Sequence, residues 1–500
     1  MKIFAPPTQL LRFLRRVFPG RRLAFAAAAL TTLVAGFYIV ENWRGERAWA
    51  DAQDRLRAAG EPLTLEEYLP TPPPDDQNFL MNPVFVRRFG FGRSAPLPMK
   101  QKVEEVRAQE STGDYPPRFA KTADGTPLEF PYEALGESGS RPDMTAIAPF
   151  LPEEIRPPSS ATQQQAAEAI LKWTSKWEPD FATLAEAART RPASYIPWAS
   201  SEQLHANLDQ MDGFVDMLNI LQLRALAQVS AEDARGALES VMIFLRIGQA
   251  FASAPNMLVY HVTGEGAVQR LASPLNHALA NGLWNDPQLH QLEDQLSRVD
   301  SRKSYRSANQ AERFYVGEVM EQLIAGDTAF LKRIDPTRPW SMSWLAPRGW
   351  WRQNEAHAVS WWLEQKQRLS LPAANRPPSQ IDSMPAHRNP HTMLLPLIIR
   401  GFEHLEQFTN RQEAVVALHR TAIALERYRL RQGRNPDALA DVAQFFETTV
   451  PLDPFTGRQP VYAIEDGRPK LWSVGPNRRD DGGREDANGA DDIVWAYPAP

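Results

Sequence analysis

The chain has 500 residues, 43% of them hydrophobic, a net charge of −5 and no cysteine. That length exceeds one ordinary core and predicts roughly two to four folded units. The charge leaves no basic footprint for nucleic acid, and the lack of cysteine excludes disulfides, thiolate zinc sites and cysteine nucleophiles.

Residues 1–22 form a basic segment carrying Arg12, Arg15, Arg16, Arg21 and Arg22. The next eighteen residues, Leu23 to Val40, read LAFAAAALTTLVAGFYIV without a charge. As a helix this run spans about 27 Å, close to the hydrocarbon thickness of a bilayer. Both signs of charge follow it, at Glu41, Arg44, Glu46 and Arg47. The positive-inside rule then sets residues 1–22 in the cytoplasm and the bulk of the chain outside. Phe37, Tyr38 and Trp43 are suited to the membrane interface. A cleaved signal peptide would need its small-x-small site closer to the apolar run than Ala48-Trp49-Ala50. The stretch ERAWADAQDRLRAAG reads instead as the same helix continuing outward and stopping at Gly60.

Residues 41–158 hold this juxtamembrane helix and a proline-rich, extended segment, with LPTPPPDDQNF as its opening. Phe79, Leu80, Phe85, Val86 and Phe89 suggest that part of it packs on the body. Residues 159–370 have helical periodicity. Phe214, Leu218, Leu221 and Ala225 repeat at spacings of four, three and four. Ser230 to Asp233 then has the form of a turn with a capping box, and Leu238, Val241 and Leu245 resume the period, predicting an αα-hairpin. Asp286 reads as an N-cap with Pro287 at the first helical position, followed by Leu289, Leu292, Leu296 and Val299 on one face. A further helix is expected from about Arg302 to Ala325, closing at Gly326. No fixed repeat length emerges, so the expectation is an irregular helical array. Trp340, Trp344, Trp350, Trp351, Trp361 and Trp362 form either an aromatic platform or inter-helix packing. Residues 371–393 are a proline-rich connector.

Tests for chemistry return little. His387 and His391 have the spacing of a helical metal pair, but Pro390 lies between them. No histidine sits in an H-E-x-x-H motif, no phosphate-binding glycine loop occurs, and GESGS at 136–140 lacks the glycine spacing of a nucleophile elbow. The acid pairs Glu66/Glu67, Glu104/Glu105 and Glu153/Glu154 are sequence neighbours, whose side chains diverge.

Residues 394–500 change character. Asn410 to Gly433 reads as a helix with Asn410 and Glu413 as a capping box. NPDALADV follows, then β-prone runs PVYAI and KLWSV between turn signals, which predicts a small antiparallel meander. This order resembles the C-terminal part of the major pseudopilin of type II secretion systems. The matching residues are Tyr428, Gly433, Pro436, Leu439, Asp453, Pro454, Tyr462, Trp472, Ser473, Gly475, Gly482, Gly483 and Asp492. In that family the membrane helix directly precedes the module; here it lies far upstream, which implies a borrowed fold. The resemblance also implies a calcium site in the final acidic loop, its candidate ligands being Asp480, Asp481, Asp486, Asp491 and Asp492, with Asn477 and Glu485 beside them. Arg478, Arg479 and Arg484 could satisfy these acids instead, so a cation loop and an Arg-paired turn both stand.

The fold expected is mainly α: a transmembrane helix, a helical array and a small α+β module. The function expected is that of a non-enzymatic, single-pass protein of the bacterial inner membrane. Its partners would be the lipid bilayer, through 23–40, and another envelope protein, met by a periplasmic or extracytoplasmic body. The alternatives are an envelope hydrolase of cell-wall polymers, using the tryptophans and acid pairs, and a component of a type II secretion-like assembly.

Overall fold

The computed structural model describes residues 20–89, 119–121, 127–129, 135, 141–195, 211–253, 257–327, 346–377, 391–392, 395–446, 450–485 and 491–497. The chain is mainly helical, with one long apolar helix near the N-terminus and a small three-stranded antiparallel sheet near the C-terminus. Among the described residues, the α-helices longer than six residues are α1 (Gly20–Ala58), α2 (Pro83–Phe89), α3 (Gln163–Thr174), α4 (Glu178–Thr190), α5 (Met211–Ser230), α6 (Ala234–Ala252), α7 (Leu258–Ala280), α8 (Asp286–Ser297), α9 (Ser301–Ala325), α10 (Arg348–Ser370) and α11 (Leu395–Gln432). Strands β1 (Phe119–Lys121) and β2 (Pro127–Glu129) form a short hairpin, and β3 (Val461–Glu465), β4 (Arg468–Ser473) and β5 (Ile493–Ala496) form the sheet, in the order β3-β4-β5.

Two compact units are distinguished. The first comprises residues 1–63, 313–364 and 380–400; the second comprises 64–312, 365–379 and 401–500.

In the first unit, α1 continues unbroken past the apolar run for 39 residues in all. Its outer part has a packing face: Ala52 and Leu56 are buried against Ala356 and Val359 of α10. Nearer the apolar run the two helices meet backbone to backbone. A Cβ on Gly45 would collide with Gly349, and one on Gly349 would collide with the Glu41 carbonyl, so both positions require glycine for steric reasons. Arg352 holds this region with charge-assisted bonds to Glu321 (2.6 Å) and Glu355 (2.9 Å).

In the second unit, α5 and α6 form the expected hairpin. Its cap differs from the expectation. Asp233, not Ser230, receives the Gly236 amide, because Ser230 is still the last helical residue of α5. At α8 the cap is Asn285, in a capping box with Gln288, which moves Asp286 into the first turn. Phe79 packs on Phe85 (ring centroids 5.5 Å apart), Phe85 on Phe214 (5.7 Å) and Phe251 (6.5 Å), and Phe214 on Phe251 (4.7 Å). The segment after α1 therefore supplies core, as Phe79, Leu80 and Phe85 suggested; the side chain of Phe89 lies outside the described residues. Arg246 lies over the Phe79 ring and donates to the carbonyls of Arg191, Pro192 and Ala193. A neighbouring cluster joins Leu135, Met144, Ile147, Leu151 and Ile170 to Leu223 and Leu226 of α5.

Helix α11 begins at Leu395, with Pro396 in its first turn, rather than at Asn410. The capping-box reading of Asn410 and Glu413 fails because Asn410 sits mid-helix and Glu413 takes a bidentate bond from Arg302 (2.6 and 2.8 Å). That pair belongs to a seam. Glu406, Glu413, Arg420 and Arg427 recur every seventh residue and so share a face of the helix. Each is ion-paired with the body: Glu406 with Arg368 and Arg376, Glu413 with Arg302, Arg420 with Glu293, and Arg427 with Asp286. Glu293 is wholly buried, and Arg420 meets it through Nη2 at 2.7 Å and Nε at 3.0 Å.

The sheet follows α11 through a 3-10 segment, Leu439–Phe445. Asp466 and Gly467 both have positive φ (49° and 76°), the geometry of a two-residue hairpin turn between β3 and β4. The sheet is fastened to the helices. The Trp495 indole donates to Asn276 Oδ1 of α7 (2.6 Å), and Asn276 Oδ1 is also 3.0 Å from His419 Nε2 of α11. Tyr462 donates to the Pro436 carbonyl (2.9 Å). Trp351, Trp361 and Trp362 are buried, which is the packing role; Trp340 and Trp344 lie outside the described residues.

Candidate functional site

At the acidic C-terminal loop several of the residues singled out in the sequence meet, among them Asp453, Ser473 and Gly475. Asp453, almost wholly buried, accepts from the amides of Phe455 (2.8 Å) and Val474 (3.1 Å) and from the Ser473 hydroxyl (2.9 Å). The Asp453-Pro454 turn is thereby locked to the end of β4. Gly475 comes next, at φ 66°, and passes so close to the Asp491 carbonyl that a Cβ could not fit. This contact brings the two ends of the loop together, with Asp480 and Asp481 on one side and Asp491 and Asp492 on the other.

Each described acid has a distinct environment. Asp480 Oδ1 accepts from the Trp472 indole (2.9 Å) and the Gly482 amide (3.0 Å). Asp481 Oδ2 accepts from Asn477 Nδ2 (2.7 Å) and the Asp491 amide (3.2 Å), and these bonds hold its carboxyl below the usual range. Asp491 Oδ1 is engaged by the Arg411 guanidinium (3.0 and 3.1 Å). Asp492 has no exposed surface; its Oδ2 accepts from the amides of Asp481 (3.0 Å) and Gly483 (2.8 Å), and its Oδ1 has no hydrogen-bond partner among the described residues. Burial pushes the Asp492 carboxyl up, and the neighbouring Asp481 charge adds to that. Asp486 lies outside the described residues.

The loop's own arginines bond mainly to carbonyls. Arg478 donates to the carbonyls of Ala373 and Ala374, and Arg484 to the carbonyl of Asp481. Among the described residues, Arg411 of α11 makes ion pairs with the loop's acids, meeting Glu485 at 3.6 Å besides Asp491, while the charges of Arg484 and Arg479 favour the ionised Asp481. A short loop motif cannot announce a partner so far away in sequence. Among the described residues no three His, Asp or Glu side chains form a ready metal-ligand group. The orphaned, buried Asp492 Oδ1 beside Asp481 nevertheless has the donor chemistry that a hard cation takes.

A second titratable group is enclosed in the second unit. His261 is fully buried between the hydroxyls of Ser304 and Thr409, both at 2.8 Å, and Glu265 accepts from Ser301 (2.9 Å). Burial pushes His261 down to about 4 and Glu265 up to about 8, so both are neutral near pH 7. A surface cleft of about 240 Å³ lies elsewhere in this unit, lined by Glu178, Arg224, Asp233, Arg235 and Glu239. Two of its acids have structural duties: Glu178 pairs with Arg224, and Asp233 caps α6. Of the histidines read as a metal pair, His391 stacks edge-on to Trp350 and faces Glu41, and His387 lies outside the described residues. The GESGS stretch and Glu104/Glu105 also lie outside them.

Finally, α1 is long and apolar enough to cross a membrane, and its apolar window is only 6% buried. Comparison with protein-family models, curated proteins and solved structures found no match.

Proposed function

We propose that this chain is a single-pass, membrane-anchored envelope protein of bacteria. Its exported helical body binds another envelope protein, and its pseudopilin-like module serves as a docked cap. The observation that carries this reading is the uncovered apolar length of α1. Phe25, Leu30, Leu33 and Ile39 are 63–80% exposed. Each such side chain forfeits about 1.5–3 kcal/mol in water that burial would return. A bilayer supplies that burial, and the arginines preceding the span support a cytoplasmic N-terminal side. The body offers extended helical surface, and its conspicuous acids are engaged in caps and ion pairs, which supports binding over hydrolysis of wall polymers.

Photocrosslinking from the exported region in living cells tests the partner. A recurrent envelope-protein adduct is expected. Bound wall fragments in place of a protein adduct would favour the hydrolase reading, and recurrent secretion-machine adducts would favour the pseudopilus one.

The final loop is read here as a calcium site, with Asp481 and Asp492 as its nearest carboxylates. The support is the unsatisfied, buried Asp492 Oδ1, a group that costs stability until something meets it. Calcium in excess of its Kd raises the melting temperature, and chelation lowers it. A melting temperature flat across a wide calcium range removes this reading and leaves the Arg411-paired loop.

A further inference from the structure

The exit of the apolar run does not stand alone. Two other parts of the same unit converge on it. The Phe37 ring, one turn inside the end of the run, packs edge-on against Trp350 with centroids 6.0 Å apart. The Trp350 indole N–H donates to Glu41 Oε2 (3.0 Å), the first charged group after the run. Asn42 Oδ1 accepts the Gly349 amide (2.9 Å), and the Gly45–Gly349 contact excludes any slack between the helices. Gln353 also donates toward Glu41, and His391 stands edge-on to Trp350 (6.0 Å). Phe37 and Glu41 are separated by about 6 Å along the helix axis at 1.5 Å per residue. Trp350 spans that same interval, with its ring on the apolar side and its N–H on the polar side.

This inference rests on the reading of 23–40 as a bilayer span. If the run ends in the membrane interface, the first turn of α10 has no other depth available to it. We infer that the corner Pro347–Trp350 is a second membrane contact, seated in the headgroup layer of the leaflet where the span emerges. Trp350 supplies the amphipathic ring characteristic of that layer. Arg348 is exposed on the same corner, and Arg44 is half-exposed beside Glu41. Both are suited to the phosphates of anionic lipid. The contact fixes the roll and tilt of the emerging helix, which a lone span leaves to the bilayer. The sequence that follows the third convergent residue, 393–399, is MLLPLII, without a charged or polar side chain.

The chain contains no cysteine, so single-cysteine spin labels need no background removal. The full chain is reconstituted in vesicles of phosphatidylcholine with phosphatidylglycerol. Labels are placed at Leu33→Cys within the span, Arg348→Cys on the corner, and Asp54→Cys well beyond it. Collision with oxygen, which favours lipid, is compared with collision with a water-soluble nickel complex. The Leu33 label is expected to be oxygen-rich, the Asp54 label nickel-rich, and the Arg348 label intermediate, at phosphate depth. Ala346→Cys gives the same intermediate value and guards against a local effect of losing Arg348. A Leu33 label in lipid with corner labels as nickel-accessible as Asp54, or shielded from both reagents, overturns the second contact while leaving the anchor intact. A nickel-accessible Leu33 label overturns the anchor itself.

Discussion

The Arg420–Glu293 pair offers the sharpest energetic test of how α11 is held. Glu293 on α8 has no exposed surface, and Arg420 is 9% exposed. Two short bonds reach Glu293 Oε1, while Oε2 has no partner. Arg420→Met would leave a buried carboxylate with nothing to meet it. Glu293→Leu would leave a buried guanidinium facing an apolar side chain. Breaking a buried pair from one side costs about 3–5 kcal/mol, whereas replacing both members by apolar groups of similar volume is often neutral. The double variant Arg420→Met/Glu293→Leu is therefore expected within about 1 kcal/mol of the wild type, and each single variant several kcal/mol below it. Urea unfolding of the full chain in detergent micelles, followed by tryptophan fluorescence, measures all four proteins. Single variants that each cost less than about 1 kcal/mol, or effects that simply add, would refute the claim that the seven-residue seam docks α11 on the body.

Three further outcomes follow from the geometry. Glu265, whose pKa rises from an ordinary 4.5 to about 8, binds its proton in the folded state between those values and not in the unfolded one. Its contribution to stability is therefore lost as pH rises from 4.5 to 8, on the order of 5 kcal/mol. His261 and His419, both lowered to about 4, act oppositely and lose stability as pH falls from 6.5 to 4. Burial also raises Glu312 and Glu355 to about 7, so Glu265→Gln should shrink the alkaline fall, most clearly between pH 7 and 8, and leave the acid one, in unfolding measured from pH 5 to 8; an unchanged alkaline slope contradicts the assignment. Gly475→Ala should lower the melting temperature and abolish any calcium response, since the new methyl displaces Asp491 and with it Asp492; a wild-type melt in both buffers would show that the loop closes some other way. Gly349→Leu should separate α10 from α1 and raise proteolysis of the first unit, and an unchanged cleavage pattern would count against the backbone contact at Gly45.

Much of the architecture was readable locally, and the misreadings share one cause. The uncharged run from Leu23 to Val40 and the helix continuing to the glycine at 60 depend on neighbours in sequence, and both are present. So are the hairpin of α5 and α6 and the meander after Gly433, because periodicity and turn residues are local signals. Asn410 looked like a cap because a cap is judged over four residues. The helix runs through it because residues on either side find partners in the body, such as Thr409 with His261. No local pattern marks the seam at 406, 413, 420 and 427. Glu406, Arg420 and Arg427 are buried, and Glu413 partly so, because Arg368, Arg302, Glu293 and Asp286 arrive from other helices. In the acidic loop, clustering was legible, but Asp492 as the orphaned member was not. Its isolation depends on Gly475 closing the loop and on Arg411 choosing Asp491.

The account depends most on α1 crossing a bilayer with the body on the far side from residues 1–22. Labelling of single-cysteine variants with a membrane-impermeant maleimide tests this directly in spheroplasts. Asp54→Cys is expected to react before lysis and Thr8→Cys only after it. Reaction of Asp54→Cys solely after lysis, or release of the chain from membranes by alkaline carbonate, would contradict the account.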